Sequence, residues 1–337
     1  MKKNKFYVMF LSVFCVFVSL IVSQQVFADA KGLPITVTAE IPENQFNKNV
    51  SYFDVLVKPG DMQIFNLIIT NSGKEPVDIL VAPHTAKTSK NGGIDYSGVD
   101  TPLDDSLAIS FEDITTEKQR LTLAGEQSQT VTFTTNIPEK DFTGVLLGGF
   151  YITQIEEEEK TEEVQEGIQI KNKFSQVLGV VIQEEDKAVE ESFSLIDVKA
   201  DVWNNKFGVQ TTLANQSPMI LSGYSLEFTI YDKDQKKIMK LDKPMFSMAP
   251  NSHYVISENI SEEALPIGDY LLKMTIHNKE GNQKWELEKK FSLGKKEKSE
   301  IMKQTLISQH PFTLILIGII VVLVILLIVL ISLKRRY

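Results

Sequence analysis

Short apolar runs with alternating polar positions dominate the middle of the chain. Thr130 to Phe133 is typical: Val131 and Phe133 are placed to face a core while Thr130 and Thr132 face solvent, as in a half-buried strand. Such runs recur at a spacing of roughly 8–12 residues and are separated by turn formers such as Lys58-Pro59-Gly60-Asp61. Helical periodicity is almost absent, so the pattern predicts an all-β body.

The runs fall into two sets. The first set is Ile35–Ile41, Tyr52–Val57, Gln63–Thr70, Val77–Pro83, Leu107–Phe111, Leu121–Leu123, Thr130–Asn136 and Val145–Ile155. The second is Ile168–Ile182, Phe193–Trp203, Phe207–Asn215, Tyr224–Tyr231, Tyr254–Ile260, Tyr270–Ile276 and Trp285–Leu293. This spacing predicts two tandem immunoglobulin-like β-sandwiches, over residues 30–155 and 167–294. Tyr270 lies where such a sandwich places a tyrosine that hydrogen-bonds back across its own corner.

An acidic segment, residues 156–166, separates the two sets. It opens with Glu156–Glu163, in which six of eight residues are glutamates, so like-charge repulsion predicts a mobile loop or linker. Two arrangements remain open: a linker between the sandwiches, or a hairpin loop across which Val145–Ile155 and Ile168–Ile182 pair. The sequence therefore leaves undecided which sandwich residues 168–182 join. Calcium capture is weakly indicated, because the interleaved Asp, Asn and Gly of a calcium loop are missing.

Both ends of the chain have the composition of targeting segments. Residues 1–28 combine Lys2, Lys3 and Lys5 with an apolar run and end Val26-Phe27-Ala28, which predicts a signal peptide cleaved after Ala28. Residues 312–333 are uncharged and long enough, as a helix, to cross a membrane. Lys334-Arg335-Arg336 follow, so the positive-inside rule predicts a cytoplasmic tail over residues 334–337, an external body and a single-pass membrane protein. Residues 295–311 are expected to form a polar stalk.

Charge and cysteine content narrow the functional classes. The region between residues 29 and 307 holds 29 basic and 44 acidic residues, a net charge of −15. Nucleic-acid binding is excluded, because it requires excess Lys and Arg against phosphate. The single cysteine, Cys15, lies inside the predicted signal peptide, so the mature protein has neither disulfides nor a thiolate nucleophile.

The sequence contains no motif for catalysis, metal binding or cofactor binding. Its four histidines do not lie at metal-ligand spacing, and the nucleophile-elbow, phosphate-loop and dinucleotide fingerprints are missing. Loop aspartates such as Asp95 and Asp104 offer carboxylates for a glycosidase or a calcium ion, but solvated loop positions explain them as well. We therefore predict a non-catalytic protein without a cofactor.

A set of short motifs, in order along the chain, resembles the WxL-interacting proteins of low-GC Gram-positive bacteria. The motifs are Glu40-Ile41-Pro42-Glu43-Asn44-Gln45, Tyr52-Phe53, Lys58-Pro59-Gly60, Asn91-Gly92-Gly93-Ile94-Asp95-Tyr96, Asp105-Ser106-Leu107, Val145-Leu146-Leu147-Gly148-Gly149, Gly179-Val180, Leu213-Ala214-Asn215, Met248-Ala249-Pro250-Asn251-Ser252 and Gly268-Asp269-Tyr270. The resemblance covers nearly the whole chain. It implies a peptidoglycan-binding first domain, a host-binding second domain, and a partner carrying a WxL domain, commonly encoded nearby.

Glycan binding needs aromatic faces beside amide groups, and five residues of the first sandwich offer them: Asn44, Gln45, Tyr52, Asn91 and Tyr96. Two structural explanations compete, since Asn-Gly-Gly is foremost a hairpin turn and the tyrosines are compatible with a core. The expected partners are peptidoglycan, a WxL-domain surface protein, a host extracellular-matrix protein and the membrane. Two other classes remain: a chaperone-like sandwich that assists assembly by strand addition, and, less favoured, a surface glycan hydrolase.

Overall fold

The computed structural model describes residues 34–98, 103–155 and 174–309. The predicted signal peptide (residues 1–28), acidic segment (156–166), membrane span (312–333) and tail (334–337) lie outside the described residues. Within the described residues, no helix has the length and apolar character needed to cross a membrane.

Seventeen strands and two helices make up the described body, which confirms the all-β prediction. The strands of the first unit are β1 (Ile35–Glu40), β2 (Phe53–Leu56), β3 (Met62–Asn71), β4 (Val77–Thr85), β5 (Lys87–Thr88), β6 (Ile94–Asp95), β7 (Gln119–Leu123), β8 (Ser128–Asn136), β9 (Leu146–Gln154) and β10 (Ser175–Gln183). Those of the second are β11 (Phe193–Trp203), β12 (Lys206–Asn215), β13 (Leu221–Asp232), β14 (Lys237–Met248), β15 (Ser252–Asn259), β16 (Gly268–His277) and β17 (Lys284–Leu293). The helices are α1 (Phe111–Ile114) and α2 (Lys295–Gln309).

The first unit packs two sheets around a phenylalanine-rich core. A three-stranded sheet in the order β1-β3-β8 faces a five-stranded sheet in the order β2-β10-β9-β4-β7. Phe150 lies at the centre, with ring centroids 4.6 Å from Phe133, 5.5 Å from Phe111 and 5.9 Å from Phe65. The alternation predicted for β8 is observed, because Val131 and Phe133 are buried while Thr130 and Thr132 are exposed. A two-stranded ribbon, β5–β6, projects from this unit.

The structure decides which unit the stretch before Gln183 joins. β10 pairs antiparallel with β9 from Ser175 to Ile182 and parallel with β2, so it is a central strand of the first unit. Of the two arrangements left open for residues 168–182, the hairpin with Val145–Ile155 is the one observed, so this strand belongs to the first sheet pair although it follows residue 167. The physical reason is burial: Leu178, Val180 and Ile182 complete the phenylalanine core.

The second unit also packs two sheets over one core, β11-β12-β15 and β14-β13-β16-β17. The predicted corner tyrosine is confirmed, since the Tyr270 hydroxyl donates a hydrogen bond to the Pro266 carbonyl. The immunoglobulin-type topology of the two units stays a prediction.

Two local predictions differ from the structure, and one strand was not predicted. Residues 295–309 form helix α2 instead of a polar stalk, because Ile301 is buried against the second core and Lys298 donates to the carbonyls of Glu262 and Leu265. Leu107–Phe111 is not a strand; the chain there is irregular up to α1, whose first residue, Phe111, is fully buried. Strand β14 was not predicted, since lysines and Pro244 break its apolar alternation.

Candidate functional site

The outer face of the five-stranded sheet carries an aromatic surface built across four strands. Register places Gly149 of β9 directly opposite Gly179 of β10 on one side and His84 of β4 on the other. Tyr52, just before β2, lies beside Gly179, so that a Cβ added at Gly179 would lie 3.9 Å from the Tyr52 Cβ. Two glycines thus leave a flat floor between Tyr52 and His84.

Tyr96 lies on this glycine floor. A Cβ added at Gly149 would lie 2.8 Å from Cδ1 of Tyr96, and one at Gly179 would lie 4.0 Å from its hydroxyl. The pair of glycines in β9 serves both faces of the sheet, because Gly148 points inward and a Cβ there would lie 2.3 Å from the Phe111 ring. The absence of a side chain at Gly148 therefore leaves room for the Phe111 ring in the core, and its absence at Gly149 leaves room for the Tyr96 ring on the surface.

Tyr151 and Val177 extend the surface by one more cross-strand pair. Tyr151 is half-buried, and its ring centroid lies 6.2 Å from that of His84. Val177 is 41% exposed and Tyr52 38% exposed. We call Tyr52, Tyr96, Tyr151, Val177 and the two glycines Gly149 and Gly179 the tyrosine face.

The tyrosine face carries no charge at neutral pH. Burial raises the pKa of the Tyr96 phenol, and the neighbouring Tyr52 phenol raises it further. Burial lowers the pKa of His84, and nearby lysines reinforce this shift against the opposing effect of Glu112, so the imidazole is neutral. Among the described residues, no protein group hydrogen-bonds the hydroxyls of Tyr52, Tyr96 or Tyr151.

Two of the five residues predicted to bind glycan, Asn44 and Gln45, have structural roles beside this face. The Gln45 side chain is buried: its amide nitrogen donates to the carbonyls of Asn47 (3.1 Å) and Tyr52 (2.9 Å), and its amide oxygen accepts from the Asp54 backbone (3.1 Å). Asn44 is exposed, and its amide nitrogen donates to the Leu56 carbonyl at 2.9 Å and to the Gln63 side chain at 2.8 Å. Gln45 therefore positions Tyr52, and Asn44 anchors the loop.

Asn91 lies apart from the other four residues. It belongs to the Asn91-Gly92-Gly93 turn that joins β5 to β6, so the hairpin explanation of this motif is the one observed. The Gly92 carbonyl accepts a 2.8 Å hydrogen bond from the Ser247 backbone of the second unit, and a Cβ added at Gly92 would lie 2.8 Å from the Tyr254 hydroxyl. The turn is thus a contact between the units.

Further hydrogen bonds join the units around this ribbon. The Thr88 hydroxyl lies 2.6 Å from that of Ser252 and accepts from the Ala249 backbone at 3.0 Å. Oδ2 of Asp104, a residue that precedes α1, lies 2.6 Å from Nε2 of His253. Burial raises the pKa of Asp104, but hydrogen bonds from Ser106 and His253 outweigh it, so the pKa lies below its usual value.

The second unit has a charged, concave outer face on its four-stranded sheet. A groove of about 630 Å³ is lined by residues of all four strands, among them Glu227, Lys240, Lys273 and Glu288. Lys240 pairs with Glu227 at 2.9 Å. Within the described residues, no group of three or more His, Cys, Asp or Glu side chains is arranged to hold a metal ion.

Sequence reasoning found Tyr52 and Tyr96 but missed Tyr151 and Val177. The sequence signal for this surface is the adjacent pair Gly148 and Gly149 within an apolar run. A glycine pair in a central strand leaves space on both faces, and the partners that use this space, Phe111 and Tyr96, are distant in sequence.

Comparison with known families identifies the two units. Residues 35–154 match the family described as WxL Interacting Protein, peptidoglycan binding domain, and residues 165–303 match WxL Interacting Protein, host binding domain. The chain belongs to the WxL Interacting Protein family. The second match includes β10, which the fold gives to the first unit. No curated protein sequence matches the chain.

Several solved structures share a distant likeness. The Pseudomonas aeruginosa CupB2 chaperone is 13% identical, with 71% of this chain and 97% of that one covered and a TM-score of 0.28. The E. coli chaperone DraB is 14% identical, with 72% and 94% covered and a TM-score of 0.27. PapD-like domain 7 of human CEP192 is 14% identical, with 50% and 97% covered and a TM-score of 0.26.

Proposed function

We propose that the chain is a non-catalytic adaptor on the cell surface. The first unit binds wall peptidoglycan through the tyrosine face, and the second unit binds a host matrix protein through its charged outer face. A WxL-domain surface protein is the further partner, as the family name implies. The apolar run at residues 312–333 holds the chain in the membrane as a single pass, with the body toward the wall and the C-terminus in the cytoplasm.

The observation that carries this proposal is the tyrosine face within the unit that matches the peptidoglycan-binding family. Sugar rings present C–H groups on their faces and hydroxyls at their edges, so they suit flat aromatic surfaces bordered by hydrogen-bonding groups. Tyr52 and Tyr151 provide ring surface on two sides of the glycine floor, and the phenol of Tyr96 lies between them. A neutral face on an acidic protein favours a neutral glycan backbone.

Sedimentation with insoluble purified peptidoglycan tests the first contact. The full chain in detergent is expected to sediment with the glycan, and Tyr52→Ala is expected to weaken binding about two- to tenfold, since aromatic stacking contributes about 0.5–1.5 kcal/mol. Tyr52→Phe keeps the ring and is expected to lose less. Tyr231→Ala, on the outer face of the second unit, is the matched control and is expected to bind like the wild type.

Three outcomes contradict the proposal. A wild-type chain that stays in the supernatant shows that it does not bind peptidoglycan. Equal losses from Tyr52→Ala and Tyr231→Ala show binding that does not use the tyrosine face. Release of soluble sugar during the incubation would restore the hydrolase alternative.

A further inference from the structure

Seven of the eight edge strands in the four large sheets are covered or carry features that discourage strand addition. Backbone and side-chain groups of residues 44–46 bond β2, and Thr116 and Gln119 bond β8. β11 lies beside β17, and β15 lies against β14 and the β5–β6 ribbon. β14 contains three lysines, Pro244 and irregular register, while β7 has only five residues. Short length, lysine, proline and bulges are the usual protections of an edge.

Strand β10 contacts β1, and its Gln176 side chain bonds the Ile35 carbonyl, but within the described residues β1 has no further protection of this kind. It pairs with β3 over all six residues without a register shift and contains neither lysine nor proline. Its single charge is Glu40 at the end, and the sequence from Ile35 to Ala39 alternates aliphatic residues with threonine, which favours strand formation. An edge of this kind is a ready template for another strand.

The free backbone groups of β1 can be assigned from two hydrogen bonds. The Pro34 carbonyl points toward β3, where it accepts from the Ser72 backbone, and the Ile35 carbonyl points away, where it accepts from the Gln176 side chain. The N–H and C=O groups of successive residues point alternately toward and away from the neighbouring strand. Those of Val37 and Ala39 therefore point away from β3, as the Ile35 carbonyl does. Among the described residues, none pairs with these groups.

The side chains of β1 define what a fourth strand must present. Val37 and Ala39 face the core but are only partly buried, so an added strand with apolar residues on that side would extend the core. Thr36 and Thr38 are exposed on the opposite side, where small polar residues of an added strand would pack beside them. A second copy of this chain is disfavoured, because its formal charge of −9 opposes self-association.

We propose that the WxL-domain partner docks by adding an extended segment to the free edge of β1. This inference rests on the proposed partner and adds where and how that partner binds. The added segment alternates apolar and small polar residues and forms hydrogen bonds with the backbone groups of Val37 and Ala39.

The test uses the full chain in detergent and a purified protein that carries a WxL domain. Ala39→Pro removes the outward N–H without removing a β1–β3 hydrogen bond, and it is expected to weaken binding about tenfold or more. Ala39→Val keeps the N–H and serves as the matched control, with near wild-type affinity expected. Circular dichroism establishes that both variants remain folded.

Amide hydrogen exchange gives a second readout that needs no substitution. In the free chain, the amides of Val37 and Ala39 are expected to exchange fast, whereas those of Thr36 and Thr38, which point toward β3, exchange slowly. Bound WxL-domain protein is expected to slow Val37 and Ala39 selectively.

Three results are decisive against the proposal. Equal affinity of Ala39→Pro and Ala39→Val contradicts docking at this edge and leaves the proposed partner intact. Slow exchange of Val37 and Ala39 in the free chain shows that a second copy or another segment of the chain already occupies the edge. A wild-type chain that does not bind the WxL-domain protein contradicts the proposed partner itself.

Discussion

Two glycines opposite each other on the tyrosine face allow one substitution to be compared in two environments. Alanine at Gly179 would place its Cβ 3.9 Å from its nearest neighbour, an ordinary contact, whereas alanine at Gly149 would place it 2.8 Å from the Tyr96 ring and 3.3 Å from the Leu178 carbonyl. Glycine within a strand costs about 0.5–1 kcal/mol relative to alanine. Gly179→Ala is therefore expected to stabilise the fold by about that amount.

Gly149→Ala also gains the stability that alanine has over glycine in a strand, but its methyl group would be too close to the Tyr96 ring. Overpacking costs about 1–3 kcal/mol, so the two variants are expected to differ by about that much in free energy of unfolding, with Gly149→Ala the less stable. The displaced group is the Tyr96 ring, and wall binding is therefore expected to fall in Gly149→Ala and to remain in Gly179→Ala. Urea unfolding and peptidoglycan sedimentation on both variants measure the two effects. Equal stability and equal binding would refute the inference that Tyr96 rests on Gly149.

Three further predictions concern the contacts between the two units and the acidic segment. Gly144→Ala is expected to lower stability by at least about 1–3 kcal/mol in urea unfolding, because Gly144 has φ of +80° and a Cβ there would lie 2.2 Å from the Pro218 carbonyl. The hydrogen bonds that Asp104 accepts from Ser106 and His253 hold its folded pKa below the usual value, so they stabilise the protein above about pH 4, and this stability is lost as pH falls through the folded pKa. A pH series of melting temperatures should show a smaller loss on acidification in Asp104→Asn. Replacing Glu156–Glu163 with a Gly/Ser loop is expected to leave the melting temperature nearly unchanged, and a large loss would show that the segment is structural or binds a cation.

Local patterns predicted most strands because burial on one face of a sheet sets a period of two. Phe193–Trp203 was predicted with the observed bounds, and β8 and the Tyr270 corner were also confirmed. Strand β14 was missed because an edge strand carries lysines and Pro244 for protection, which obscures the apolar alternation. Helix α2 was missed because its burial depends on Ile301 meeting a core built from distant residues.

The candidate site was predictable only in part. Tyr52 and Tyr96 are 44 positions apart, and sequence gave no reason to place them on one floor formed by Gly149 and Gly179. Gln45 has the residue type of a glycan contact, but its amide is used to hold the loop before β2. Which polar groups remain free depends on register, and register is decided by the whole sheet.

A three-component sedimentation experiment tests the adaptor claim most directly. Insoluble peptidoglycan is mixed with a purified WxL-domain protein, with and without the full chain, under salt and detergent conditions in which that protein alone stays in the supernatant. The account predicts that the WxL-domain protein moves into the pellet when the wild-type chain is added, and that Tyr52→Ala and Ala39→Pro each reduce this recruitment. A WxL-domain protein that remains in the supernatant while the chain itself sediments would contradict the adaptor function.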